Sequence, residues 1–134
     1  MRILQVVHGF PPQEWAGVEV VTYYDVCLIP FQQSAVGEAA CPLKLFEYAA
    51  AQRPVISTPV REGQTIGKEF VTFAGDAREL QQAINDLLHS PQRRAALVAK
   101  GVEVVRRQYT WEALTEQFLR LVNATRGGMS ATKA

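Results

Sequence analysis

The sequence predicts an α/β fold, in which a small, mainly parallel sheet of about four strands is covered by helices. Short apolar, β-branched runs at 3–7, 25–30 and 55–57 suit strands buried on both faces, as in parallel sheets. Strand patterns and helix patterns alternate along the chain, which favours an α/β arrangement. The 134 residues and 48% hydrophobic content suit one domain with a substantial core.

Composition and charge exclude several classes of protein. The net charge of +1 argues against a nucleic-acid partner. No apolar run reaches the roughly 18 residues that a membrane span needs, and residues 1–10 lack the pattern of a signal peptide. Cys27 and Cys41 lack metal-site spacing, and Cys27 lies in an apolar run that predicts burial. Two cysteines without a secretory signal indicate a reducing compartment.

The first third of the chain contains two predicted strands and an awkward connection. His8 follows the first strand, at the edge where open α/β sheets bind ligands, although a lone loop histidine is more often structural or solvated. Residues 14–24 fit a helix poorly because their valines favour strands. The strand at 25–30 begins almost immediately afterwards, so this connection is unusually tight. Residues 31–41 are predicted to form a loop.

The central stretch, 42–59, predicts a helix, a tight turn and a buried strand. Pro42 suits the first helical position, and Arg53-Pro54 ends the helix. Leu43, Phe46 and Ala50 have the spacing of one inward apolar stripe. The strand 55–57 follows, and Pro59 closes it.

The second half predicts a mobile loop at 60–68, a strand at 70–73 and three helices. Asp76 and Glu79 form a capping box for the first helix, Ser90 caps a second helix to about 108, and Thr110 caps the third. Gly101 costs about 1 kcal/mol relative to Ala unless a close contact requires it. The predicted apolar faces are Leu80, Ile84, Leu87 and Leu88; Leu97, Val98, Val102 and Val105; and Trp111, Leu114, Phe118, Leu121 and Val122.

Lys44 and Glu47 are the candidate binding residues in the central helix. A cation and a carboxylate near a helix N-terminus could meet a phosphate and a sugar hydroxyl, and the free N–H groups there favour an anion. The same spacing also fits an ordinary exposed ion pair worth a few tenths of a kcal/mol. Spacing alone favours that simpler interpretation, because surface pairs of this kind are common.

The central stretch reads Pro42-Leu43-Lys44-Leu45-Phe46-Glu47-Tyr48-Ala49-Ala50-Ala51-Gln52-Arg53-Pro54-Val55-Ile56-Ser57. It resembles the donor-binding motif of family-four retaining glycosyltransferases of the GT-B fold, in which a P-x-K-x-x-E-Y-x-A helix precedes a turn and P-V-I. The resemblance extends over about four-fifths of the chain, through 24–31, 69–71, 76–88 and 109–112. Residues 1–22 resemble the opening of the family's acceptor domain. The chain therefore resembles both ends of a longer enzyme, with the tight junction near 22–24 where the middle would lie.

The resemblance implies roles for individual residues. Glu47 would accept hydrogen bonds from ribose hydroxyls, since a carboxylate suits a vicinal diol. Leu43 and Lys44 would bring backbone N–H groups and an ammonium to the diphosphate, and Gly17 would be the close-approach glycine of the first loop. Many members carry an earlier glutamate, whose position here is Ala39. Glu38 lies one residue out of register and is retained as a candidate.

The resemblance also implies partners and organisation. The substrates would be a nucleotide-sugar donor and a sugar or lipid-linked acceptor, with no metal or other cofactor. The chain would be cytoplasmic or peripheral to the membrane. We expect one α/β domain, 1–124, as a Rossmann-like half of a GT-B fold, in which 1–23 resemble the acceptor domain and 24–124 the donor domain. Residues 125–134 are predicted to be a disordered tail.

Half a cleft gives little of the effective molarity that transfer needs, so turnover by this chain alone is not expected. A homodimer or a docked acceptor domain could complete the cleft. The alternatives are a non-catalytic nucleotide-diphosphate-binding module, a structural remnant of the family, and a flavodoxin-like domain without sugar chemistry.

Overall fold

The structure is a computed structural model that describes residues 3–5, 24–32, 34–39 and 42–130. The chain divides into two compact units, Met1–Val102 and Glu103–Ala134. Residues 14–23 of the predicted helix, residues 6 and 7 of the first predicted strand, His8 and Cys41 lie outside the described residues. In chain order the elements are β1 (Ile3–Gln5), β2 (Val26–Ile29), α1 (Ala35–Glu38), α2 (Leu43–Ala50), β3 (Val55–Ser57), α3 (Arg61–Gly67), β4 (Val71–Phe73), α4 (Ala77–His89), α5 (Pro91–Gln108) and α6 (Trp111–Ser130).

The first unit contains a four-stranded sheet in the order β1-β2-β3-β4, and every neighbouring pair is parallel. Cys27 stands opposite Val55, which in turn stands opposite Val71. All four residues of β2 and all three of β3 are buried, as expected for central strands of a parallel sheet. The predicted fold class is therefore confirmed.

Helices cover both faces of this sheet. On one face, Val26, Leu28 and Ile56 pack with Ala83 and Leu87 of α4. Strand residues alternate between faces, so Cys27, Val55 and Val71 point to the other side. There, a Cβ placed on Gly67 of α3 would lie 2.5 Å from Val71 Cγ2 and 3.4 Å from Leu45 Cδ1, which brings α2 and α3 together over that face.

The predicted caps form as hydrogen bonds. Asp76 Oδ1 accepts from the backbone N–H of Glu79 at 2.8 Å, and the Glu79 carboxylate accepts from the N–H of Gly75 at 2.6 Å. Ser90 Oγ accepts from the N–H of Arg93 at 3.3 Å. A Cβ on Gly101 would lie 3.0 Å from the Phe70 ring, which confirms the close contact that a glycine in mid-helix requires.

The predicted inward stripe of α2 is wrong. Leu45, Tyr48 and Ala49 are buried instead, whereas Leu43 is 67% exposed and Ala50 is exposed. The helix carries apolar residues around most of its circumference, so two stripes with helical spacing compete. The stripe that contains Leu45 is the one that packs against the sheet and close to Gly67.

Two segments predicted as loops contain short helices. Residues 35–38, within the predicted loop 31–41, form α1, with Ser34 Oγ accepting from the N–H of Gly37 at 3.2 Å. Residues 61–67, predicted to be a mobile loop, form α3, which connects β3 to β4. Its apolar contacts come from Ile66 and from glycines that allow close packing, a pattern too sparse to mark a helix in the sequence.

The second unit contains the end of α5 and all of α6. Thr110 Oγ1 accepts from the N–H of Ala113 at 3.2 Å, which confirms the predicted cap. The apolar stripe of α6 forms, but it faces solvent: Trp111 is 83% exposed and Phe118 is 64% exposed. The backbone of α6 continues to Ser130, into the predicted tail. Within the described parts of the chain, no helix combines the length and apolarity needed to cross a bilayer.

Candidate functional site

Hydroxyl groups hold together the carboxyl ends of β2 and β3. The buried Ser57 donates from Oγ to the carbonyl of Ile29 at 3.2 Å, and the N–H of Thr58 donates to the same carbonyl at 3.2 Å. Thr58 Oγ1 donates to the carbonyl of Phe31 at 2.9 Å. These bonds fix the two strand exits at the edge where open α/β sheets bind ligands.

The N-termini of α2 and α3 lie side by side at this edge. Because β2, β3 and β4 are parallel, both connecting helices must begin at the carboxyl ends of the strands. A Cβ placed on Gly63 would lie 3.7 Å from Pro42 Cγ, so the two helix starts lie close together. The Glu38 carboxylate accepts from the N–H of Arg61 at 3.0 Å and thereby brings α1 to the same place.

The first turn of α2 presents its polar side chains outward. Lys44 Nζ lies 2.7 Å from Glu47 Oε2, and the side chains are 45% and 37% exposed. Leu43 precedes Glu47 by one helical turn and is also exposed, so it lies on the same face. Pro42 makes no side-chain cap of this helix. The N-terminus of α2 therefore presents an exposed cation, an exposed carboxylate and an apolar side chain at the carboxyl edge of the sheet.

The structure brings four of the five predicted site residues to this edge. Leu43, Lys44 and Glu47 share the start of α2, and Glu38 lies at the start of α3. Gly17 lies outside the described residues. Their placement fits the predicted assignment, while the ligand-binding roles of all five stay predictions.

A family model described as glycosyl transferase-like matches residues 14–120. The chain belongs to this family. The match includes the carboxyl edge with α1, α2 and α3, so the exposed Lys44–Glu47 pair lies in the part of the chain that the family defines.

A protein of Bacillus subtilis (strain 168), named "Putative teichuronic acid biosynthesis glycosyltransferase TuaH", is 38% identical to this glycosyl transferase-like chain over 71 residues. The aligned part is 53% of this chain and 18% of the relative. The chain thus spans only about a fifth of the length of the curated relative that it matches.

Two features of the edge were not predicted from the sequence. Glu38 caps α3, and the Ser57-Thr58 pair connects two strand exits. Polar hydroxyl residues directly after a buried strand were a signal for the second feature. No local pattern indicates the first, because Glu38 and Arg61 are 23 positions apart and lie in two separate segments that were each predicted to be loops.

The buried ionisable groups lie away from this edge, beneath α2. Burial raises the pKa of the Cys27 thiol to about 12, although the Arg53 cation nearby lowers it in part. Burial also raises the pKa of Tyr48, with smaller contributions from Cys27 and Glu47. Both groups therefore stay protonated at neutral pH and are unsuited to act as a base or a nucleophile in this family member.

A shallow, open groove lies elsewhere, where α4 meets α5. It has a volume of about 500 Å³ and is lined by Gln82, Asn85, Asp86, His89, Ser90 and Arg93. Since α4 begins at the carboxyl edge of the sheet and runs back, this groove lies near the opposite edge. Asp86 and Arg93 are 3.6 Å apart and compensate each other's charge. Among the described residues, no group of three His, Cys, Asp or Glu side chains could hold a metal ion.

Proposed function

We propose that this chain is the donor-binding half of a nucleotide-sugar-dependent glycosyltransferase of the GT-B, family-four type. The carboxyl edge of the sheet binds the nucleoside diphosphate. Glu47 accepts hydrogen bonds from the ribose hydroxyls, and the Lys44 ammonium with the first N–H groups of α2 binds the diphosphate. Leu43 supplies the backbone N–H that opens the helix and an apolar contact beside the ribose.

The observation that carries this proposal is the exposed Lys44–Glu47 pair at the uncapped start of α2. A helix start carries partial positive charge and suits a diphosphate, and Lys44 adds a full positive charge beside it. The carboxylate lies one turn further along and offers two acceptor oxygens to a diol. Both side chains are accessible, so exchanging their mutual contact for a ligand costs little.

Transfer of the sugar with retention requires an acceptor held against the donor, and an acceptor-side domain would supply it. The aligned relative is about five times as long as the segment it shares with this chain, which leaves room for such a domain in that protein. Electrostatic stabilisation of the leaving diphosphate by Lys44 and the start of α2 would be this chain's contribution to the rate.

A thermal-shift titration with UDP, GDP and ADP tests the binding step. Ligand at about 100 times its dissociation constant stabilises the folded state by about 2.7 kcal/mol, which is several degrees for a domain of this size. We expect one diphosphate to raise the melting temperature of the parent chain and to lose this effect in Glu47→Ala. Glu103→Ala is the matched control, because it removes a carboxylate from an exposed ion pair of α5, 3.8 Å from Arg107.

The outcomes separate ligand binding from general electrostatics. A shift that persists in Glu103→Ala and disappears in Glu47→Ala supports the site. Equal losses in both variants would mean that the loss is not specific to Glu47, since removing a negative charge should by itself favour an anionic ligand. A cooperatively melting parent chain that responds to none of the three diphosphates would overturn the proposal and leave the motif with a role in folding alone.

A further inference from the structure

The Lys44–Glu47 ion pair occupies the groups that the donor site needs, and its consequence for ligand binding rests on the proposed function. Lys44 Nζ contacts Glu47 Oε2 at 2.7 Å. Among the residues that the structure describes, neither side chain makes another hydrogen bond or ion pair. A carboxylate has two oxygens to offer the two hydroxyls of a vicinal diol, and here one of them is already bonded. The free chain therefore holds its ammonium and its carboxylate against each other.

The order of the two charges along α2 makes this contact easy to break. Lys44 lies one turn before Glu47, and the first turn of α2 contains no acidic residue. A cation in the first turn faces the positive end of the helix dipole, and a lysine before a glutamate is the less stabilising order for an ion pair on a helix. Both side chains are also exposed, so solvent screens their attraction. An anion at the start of α2 would instead compensate the dipole and the ammonium together.

We propose that this ion pair is exchanged when a ligand binds, and that the exchange makes the site selective for a nucleoside diphosphate over either of its halves. The diphosphate draws the Lys44 ammonium towards the start of α2, on its flexible stem, and Glu47 is released for the ribose hydroxyls. A nucleoside alone must break the pair without offering Lys44 an anion. A free diphosphate must break it without offering Glu47 a diol. Each half therefore opposes the full strength of the pair, whereas the complete ligand breaks it once and satisfies both partners.

The exchange predicts gains of affinity that a simple loss of contacts does not. Lys44→Ala removes the cation that covers Glu47, so a nucleoside should bind this variant about two- to fivefold more tightly than the parent chain, the factor that corresponds to an exposed ion pair. Glu47→Ala frees Lys44 and should tighten the binding of inorganic pyrophosphate by a similar factor. The complete diphosphate should bind both variants at least about tenfold more weakly, because each has lost a charged hydrogen bond.

NMR titrations of the isotope-labelled full chain measure these affinities, and the spectra of the variants also show whether the fold is retained. The probes are inorganic pyrophosphate, whichever of UDP, GDP and ADP gives the thermal shift, and the nucleoside of the same base, all at constant ionic strength. Glu62→Ala is the matched control for pyrophosphate, because it removes the same charge from the first turn of α3 at the same edge of the sheet. Lys68→Ala, at the other end of α3, is the matched control for the nucleoside. Both controls should stay within about 1.5-fold of the parent chain.

The outcomes separate the exchange from the donor site itself. Tighter binding of each half to the variant that frees its partner, with weaker binding of the complete diphosphate, supports the exchange. Unchanged or undetectable binding of either half to that variant overturns it, and a parent chain that still binds the diphosphate then leaves the proposed donor site standing. A gain for pyrophosphate that Glu62→Ala reproduces also overturns the exchange, because long-range charge explains such a gain. A parent chain that binds none of UDP, GDP and ADP overturns the exchange and the proposed function together.

Discussion

The carboxylate of Glu38 accepts a hydrogen bond of 3.0 Å from the backbone N–H of Arg61. This bond joins the end of α1 to the first residue of α3, beside the start of α2. The first N–H groups of a helix lack partners within it, so an acidic side chain from a distant segment can cap them. Glu38 therefore caps α3 at the edge of the sheet where the resemblance places a donor-binding glutamate.

Removing this cap should destabilise the chain. Glu38→Ala is expected to lower the free energy of unfolding by about 1 kcal/mol, as for other lost N-terminal caps. Glu38→Gln keeps an acceptor oxygen and should lose less than half as much. Glu62→Ala is the control, because Glu62 lies in the first turn of the same helix. Urea unfolding measures all three, and equal effects of Glu38→Ala and Glu62→Ala would mean that only the helix dipole is involved.

The same substitution at two glycines of α3 should have different effects on stability. A Cβ on Gly67 would lie 2.5 Å from Val71 Cγ2 and 2.9 Å from Val71 Cβ, which is held by the strand. A Cβ on Gly63 meets only Val60 Cγ2 at 3.2 Å and Pro42 Cγ at 3.7 Å. Alanine improves helix propensity by up to about 1 kcal/mol at both positions.

Gly67→Ala should therefore lower the free energy of unfolding by about 1–3 kcal/mol, the usual cost of overpacking, while Gly63→Ala should change it little or raise it. The double variant Gly67→Ala/Val71→Ala relieves the contact and should recover part of the loss relative to Val71→Ala alone. Chemical denaturation checks the series. A Gly67→Ala chain as stable as the parent would mean that α3 can move away from β4.

The strands could be predicted because burial on both faces leaves a plain signal in the sequence. The runs around Cys27 and Ile56 are continuous and apolar, and the structure buries them completely. The inward face of α2 could not be predicted, since Leu43 and Leu45 belong to two stripes of equal period. The structure buries Leu45, whose Cδ1 would lie 3.4 Å from a Cβ placed on Gly67 of α3, and that contact between distant parts of the sequence is not visible in a local pattern.

Only part of the candidate site could be predicted from the sequence. Lys44 and Glu47 are three residues apart, so their proximity on one helix face followed from helix geometry. The position of Glu38 did not, because it depends on two short helices whose sequences lack an apolar period. Likewise, the spacing of Trp111 and Phe118 predicts one face of α6 but carries no information on whether this chain covers that face.

Alkaline pH should weaken the fold through Cys27. Its pKa is raised from 9.0 to about 12 by burial, so the folded state keeps a proton that the unfolded chain loses above pH 9. The stability is therefore complete below about pH 9 and falls as pH rises from there towards 12. Tyr48, whose pKa is also raised by burial, contributes in the same direction at higher pH.

Urea unfolding at about pH 7, 9 and 10 measures this effect, and Cys27→Ala should show a shallower decline than the parent chain. The comparison uses the slope against pH, because the substitution also leaves a small cavity that lowers stability at every pH. Parallel slopes for the two chains would mean that Cys27 is accessible to solvent in the folded state.

The Lys44–Glu47 pair should contribute little to stability, although Lys44 Nζ and Glu47 Oε2 are only 2.7 Å apart. Both side chains are well exposed, and pairs of this kind are worth about 0.2–1 kcal/mol. A double-mutant cycle with Lys44→Ala, Glu47→Ala and the double variant should give a coupling energy in that range, and the coupling should shrink in high salt. A coupling above about 2 kcal/mol would show that the pair stabilises the fold, and the loss of nucleotide binding in Glu47→Ala could then be indirect. A small coupling, together with loss of the diphosphate-induced thermal shift, would instead assign Glu47 to ligand binding. The substitution would then have lowered the affinity for the diphosphate while leaving the stability of the fold nearly unchanged.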